Sequence, residues 1–194
     1  MLKPTELVIA LPAEARPLRR ALALPRVQTH GDFPLYADGP LRLIVTGPGQ
    51  RAAAEAVAWL AAQSPLRACQ ARWLNLGIAG HARAPLGQAY AIESLTGPDG
   101  HTQKTAPPTG LPRASLHSAE QPVNDYPEET LVDMEGAGFH RAASAIAPFE
   151  HIHLVKVVSD NRATPARGIN GKRCEALVSS LLPWLQRWLT EAPA

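Results

Sequence analysis

The sequence predicts an α/β protein folded as one domain over residues 1–194. Three observations carry this. Short apolar runs alternate with alanine- or leucine-rich stretches of helical period. A chain of 194 residues has the size of one domain and can bury a good core. Hydrophobic residues at 45% and charged ones at 19% are the composition of a soluble globular protein.

Taken in order, Leu7–Leu11 reads as a first strand, with Glu14 just beyond its end. Arg16, Arg19 and Arg20 read as a solvated helix face. Leu41–Thr46 is a second strand, and Gly47-Pro48-Gly49 turns into a helix over Arg51–Gln63, whose alanines and Trp59 favour helix and burial. Trp73–Ile78 is a buried strand leading into Gly77-Ile78-Ala79-Gly80, where small residues permit close backbone approach to a ligand. Gln88–Ser94 is a further strand. From Thr96 to Pro112, four prolines and three glycines predict a mobile surface loop. Ser115–Val123 reads as a strand ending at Pro122, Met134–Ala147 as a helix, and Ile152–Ser159 as the most strand-like run in the chain. Gly171–Thr190 is a last helix with Cys174, Leu177, Val178, Leu181, Leu185, Trp188 and Leu189 on one face, kinked at Pro183. There is no internal repeat.

Several function classes are disfavoured. A net charge of +2, with no Lys/Arg run, does not point to nucleic acid. Cys69 and Cys174 form no C-x-x-C and no disulfide framework, as expected of reduced thiols in a cytoplasmic protein. The N-terminus lacks the pattern of a signal peptide, and no apolar run approaches the ~20 residues that span a bilayer. His151 and His153 point the same way from a strand but have no evident third metal ligand; a place at the edge or start of that strand explains them, and no metal is expected. Gly47–Ala52 matches the dinucleotide pattern G-x-G-x-x-A, but it follows the second strand and no acid closes the next one. A tight turn into a helix accounts for it, with anion binding at that helix N-terminus left open.

Glu14, Glu135 and Asp160 differ from the other acids because each follows or adjoins an apolar run that should be buried. Any one alone reads as a helix cap or a surface residue. Delivered together to strand ends, where α/β proteins gather ligands, they suit two tasks: gripping hydroxyls and handling a proton on a leaving group.

These acids sit in segments that, in order, resemble the nucleoside phosphorylase/hydrolase superfamily, most of all its methylthioadenosine/S-adenosylhomocysteine nucleosidase branch. Val8–Glu14 resembles the family's first strand and acidic turn, and Thr46-Gly47-Pro48-Gly49 with its following alanines resembles S-G-I-G-K-x-A-A. Asn75–Gly80 stands where the family has N-T-G-S-A-G-G. Val132-Asp133-Met134-Glu135 resembles V-E-M-E, and Val155–Asp160 resembles V-R-A-I-S-D.

The resemblance implies a mixed, twisted central sheet flanked by helices, and hydrolysis of the N-glycosidic bond of a purine nucleoside. It implies that Glu135 accepts hydrogen bonds from ribose hydroxyls while Met134 packs against the sugar. Asp160, helped by Ser159, would donate to the purine ring nitrogen. Glu14 would orient and deprotonate the attacking water. Ala79 and Gly80 would line the base and ribose pocket through their backbone, with Ile78 beside them. No cofactor is implied, phosphate entering only as a co-substrate in a phosphorylase, and self-association as a homodimer or larger is.

The chain departs from the pattern at Ile78 (serine in the family), His81 (glycine) and Lys156 (arginine), and in a shortened stretch around 95–130 that lacks a helix. The Ile78 side chain, unlike a serine's, cannot donate to a phosphate, and Glu14 stands where a phosphorylase offers glycine and a basic residue, so water is the expected nucleophile. The alternatives are a phosphate-dependent phosphorylase using Arg51 or Arg16, a non-catalytic nucleoside-binding protein, and an α/β domain of unrelated function.

Overall fold

Alternate side chains along the strands enter two separate apolar layers, as a strand's period of two dictates. Val8, Ile44 and Trp73 face one layer; Leu7, Ile9, Leu43, Val45 and Leu74 face the other. The computed structural model describes residues 2–27, 33–123, 125–166 and 169–191. Its strands are β1 (Thr5–Ile9), β2 (Arg26–Val27), β3 (Leu35–Asp38), β4 (Leu41–Val45), β5 (Arg72–Gly80), β6 (Ala89–Thr96), β7 (Thr102–Lys104), β8 (Arg113–Ser118), β9 (Thr130–Asp133) and β10 (Ile152–Asp160). The helices are α1 (Pro12–Ala21), α2 (Gln50–Gln63), α3 (Pro65–Gln70), α4 (Gly136–Ser144), α5 (Gly171–Ser179) and α6 (Leu182–Thr190).

All ten strands join one mixed sheet. β1 lies parallel between β4 and β5, and β3 and β2 extend the β4 edge antiparallel. On its other side β5 runs parallel to β10, which pairs antiparallel with β6. β6, β8 and β9 continue in parallel, and β9 returns to β5 where Val132 meets Gly80. Half of the sheet therefore closes into a ring of five strands, β5-β10-β6-β8-β9. Helices α2, α3 and α4 cover one face through Val57, Leu60, Ala68 and Phe139; α1, α5 and α6 cover the other through Leu18, Val178, Leu185 and Leu189. Each fully buried Leu or Phe contributes roughly 1.5–3 kcal/mol. No described helix is long and apolar enough to cross a membrane.

The α/β class stands, and several expected boundaries move. The segment expected to be a mobile loop holds β7, which forms a hairpin with β6 across the Gly97–Gly100 turn (Gly100 φ +78°). Its glycines and prolines shape a connection instead of loosening one. The strand expected to reach Val123 stops at Ser118, opposite Asp133, where its partner strand β9 also ends. The helix expected from Met134 starts at Gly136, whose N–H is taken by the Asp133 carboxylate (2.9 Å). The last helix is two, parted at Ser180–Leu181; Pro183 sits in the first turn of α6, where a missing N–H costs nothing. The short elements β2, β3, α3 and β9 had no periodicity long enough to read.

Candidate active site

A cleft of about 230 Å³ opens where β1, β4, β5, β9 and β10 end. Parallel strands put their carboxyl ends on one side of the sheet, which is where α/β proteins bind ligands. Glu14, Ile78, Ala79 and Gly80 line this cleft, and so do Met134, Glu135, Ser159 and Asp160. The structure therefore brings together the eight residues that the resemblance placed in the pocket of a nucleosidase.

Glu14 is the third residue of α1 and is buried. Its Oε2 accepts the Leu11 N–H (2.9 Å), closing the first turn of the helix, and its Oε1 accepts the Ile78 N–H (2.8 Å) at the tip of β5. Glu14 thus both closes the first turn of its helix and lines the cleft. Gly77 is small for the same reason: a Cβ there would stand 2.8 Å from Glu14 Oε1. Burial pushes the Glu14 pKa up to about 7, against the two backbone donors and Lys156, which pull it down.

Glu135 precedes α4, and its Oε1 accepts the N–H of Gly49 (2.8 Å) at the start of α2. Gly49 has φ +99°, a backbone conformation L side chains rarely adopt. The glycine turn that resembled a dinucleotide fingerprint therefore gives this donor to a carboxylate of the same chain. Burial raises the Glu135 pKa, Asp133 adds to the rise, and Lys156 opposes it.

Asp160 owes its direction to a bulge. Val158 pairs with Ala79 and Asp160 with Gly80, so Ser159 is an extra residue that bends the end of β10. The Ser159 hydroxyl donates to Asp160 Oδ1 (2.5 Å), and the Tyr126 hydroxyl donates to Oδ2.

Behind the cleft Lys156, 1% exposed, donates to Asp133 Oδ2 (2.6 Å) and Asn75 Oδ1 (2.8 Å). Ser118 Oγ donates to Asp133 Oδ1 (2.5 Å). Burial lowers the Lys156 pKa, but the charges of Asp133, Glu135 and Glu14 outweigh burial and raise it. The departures at Ile78 and His81 also find places. Ile78 supplies the N–H that holds Glu14, and His81 Nδ1 accepts the Arg83 and Ala84 N–H groups (3.0 Å each), fixing the turn after β5.

Sequence reasoning missed Tyr126, which lies between Pro122 and Pro127 where no periodicity marks it, and it left Asp133 without a role. Arg51 pairs with Glu55 (2.7 Å) and Arg16 with Glu175; neither lines the cleft. His153 lies near the start of β10, its Nδ1 against the Ala106 carbonyl (2.8 Å), and burial lowers its pKa to about 4. Among the described residues no group of three or more His, Cys, Asp and Glu side chains is placed to hold a metal ion.

A mixed sheet half closed into a ring, with three acids at its strand ends, is the nucleoside phosphorylase/hydrolase fold. Within that fold, solved structures similar to this chain include methylthioadenosine nucleosidases. The Chlamydia trachomatis nucleosidase bound to adenine is 28% identical, with a TM-score of 0.68 over 95% of this chain and 98% of that one. The same enzyme bound to MTA is 26% identical, with the same TM-score and coverage. The apo Arabidopsis thaliana 5′-methylthioadenosine nucleosidase shares the fold at 16% identity, with a TM-score of 0.78 over 98% of this chain and 97% of that one. No protein-family model and no curated protein sequence matches the chain.

Proposed function

We propose that this protein hydrolyses the N-glycosidic bond of a purine nucleoside of the methylthioadenosine/adenosylhomocysteine kind. The observation that carries the reading is the meeting of Glu14, Glu135 and Asp160 in one cleft beside Ala79 and Gly80. Breaking this bond develops positive charge on the sugar and negative charge on the leaving base. Glu135, held by Gly49, presents its carboxylate to the ribose hydroxyls and to the developing cation, and Met134 packs against the sugar. Asp160, in its acid form in the nucleoside complex, hands a proton to the ring nitrogen of the base, with Ser159 fixing its carboxyl group. Glu14 is anchored by two backbone donors yet keeps free lone pairs for a water, and a pKa of about 7 suits a base working at neutral pH. The reaction so written needs water and no cofactor.

Chlamydia trachomatis nucleosidase structures with adenine and with MTA support an adenine-like leaving group here. We further place the protein in the cytoplasm as a homodimer or larger assembly, in line with its free cysteines and the habit of the superfamily. The deciding experiment screens purine nucleosides for released base in phosphate-free buffer. Asp160→Asn should lower kcat by roughly 10²–10⁴-fold. Strict dependence on phosphate would make the enzyme a phosphorylase. Tight binding with no turnover, and an Asp160→Asn variant of unchanged affinity, would make it a binding protein.

A further inference from the structure

Tyr126 has no part in the mechanism above, yet its side chain is buried in the cleft. Its ring tip lies on Gly80 so closely that a Cβ there would run into it. Its hydroxyl donates to Asp160 Oδ2, the carboxylate oxygen left over after Ser159 has taken Oδ1. Each oxygen of Asp160 thus already accepts one hydroxyl, and a base that bonds Oδ2 from the position of the phenol must displace Tyr126. The remaining volume, about 230 Å³, falls below the ~300–1,000 Å³ usual for small-molecule sites.

We propose, on the reading that Asp160 serves a leaving purine, that Tyr126 is an internal stand-in for that base and sets the affinity at which a purine is admitted. The bond to Asp160 is its strongest tether, because the acceptor is a carboxylate in a desolvated cleft. Burial and that same bond raise the phenol's pKa, so it remains a neutral donor. On the inner side the ring packs against Ala82, Ala119 and Val132. On the outer side Arg162 bonds Asp125 (3.1 Å), the Tyr126 carbonyl (3.1 Å) and Glu128, and Arg83 pairs with Glu128 (2.6 Å). Those outer pairs are exposed and hold the segment only lightly. An arriving base therefore competes with one hydroxyl, and it replaces that hydroxyl as the partner of Asp160.

Tyr126→Phe tests this, since it keeps the ring packing and deletes only the competing hydroxyl. Adenine binding to both proteins is measured by calorimetry, with ribose as the control that needs only the Glu135 side. Adenine should bind roughly ten- to a hundredfold more tightly to the variant, the range for losing one hydrogen bond to a charged acceptor, and ribose affinity should not change. Equal or weaker adenine binding to the variant overturns the proposal, because Tyr126 would then be neutral or a partner of the base. Absence of adenine binding to either protein overturns it as well. Adenine binding that tightens as expected, with no base released from any nucleoside, would refute the hydrolase reading and leave the role of Tyr126 standing.

Discussion

Lys156→Met keeps the apolar stem of a buried side chain and deletes its charge. Lys156 is 1% exposed, with Nζ 2.6 Å from Asp133 Oδ2 and 2.8 Å from Asn75 Oδ1, so no water replaces it. Removing one partner of such a pair costs roughly 3–5 kcal/mol, because the other charge stays buried and unmatched. Against a total stability of about 5–15 kcal/mol this is a large fraction. At ~2–4 °C per kcal/mol for a chain of this size, Tm should fall by roughly 6–20 °C. The sign with pH follows from the raised Lys156 pKa: the pair stabilises the fold throughout the neutral range and is lost only as pH climbs past ~10.4 and through the folded value. Catalysis changes too. Lys156 pulls down the pKa of Glu14 and Glu135, so the variant's kcat/KM should rise at higher pH than the wild type's. Urea unfolding and a pH profile of base release measure the two effects. A loss below about 1 kcal/mol, the worth of an exposed pair, together with an unmoved profile would refute the assignment of Lys156 as the counter-charge of the cleft.

Three further outcomes are expected. In the wild type, kcat/KM should rise with pH around pH 7 as Glu14 ionises, and Glu14→Gln should abolish that limb, an amide being no base; a profile unaltered by the substitution would move the base elsewhere. Because the Glu14 pKa is raised in the fold, its titration should lower folding stability as pH rises from ~4.3 through about 7, which urea midpoints across that window would record. Gly138→Ala should destabilise by roughly 1–3 kcal/mol and raise KM, since its Cβ would press on the Gln50 backbone (carbonyl carbon at 2.6 Å) and displace Gly49 from Glu135; wild-type unfolding and KM in that variant would contradict the packing described.

What could be read beforehand was whatever a local pattern encodes. The apolar runs marked β1, β4, β5 and β10 because strands buried on both faces are continuously apolar, and the acids that end or follow such runs stood out by contrast. The resemblance supplied their roles, which spacing could not. β9 stayed hidden because four residues carry too little alternation, so Glu135 was placed inside a helix although it stands before one. Likewise, no local rule could have found that Gly49 donates to Glu135, since that bond joins residues distant in sequence. Tyr126 was invisible for the opposite reason: its surroundings are proline-marked loop, and only the bulge that turns Asp160 towards it reveals its place.

The ring of strands has a consequence for how the chain is born. β5 leaves the ribosome with one flank covered by β1, but the flank that β10 covers stays open until Ile152–Asp160 has been synthesised, about seventy residues later. Until then the nascent protein exposes an unpaired row of backbone groups, a template for wrong partners. Closure also joins segments far apart in sequence, which slows it. Cells that make this protein quickly should therefore depend on chaperones to shield that flank, and fragments ending before Ile152 should aggregate instead of adopting part of the fold.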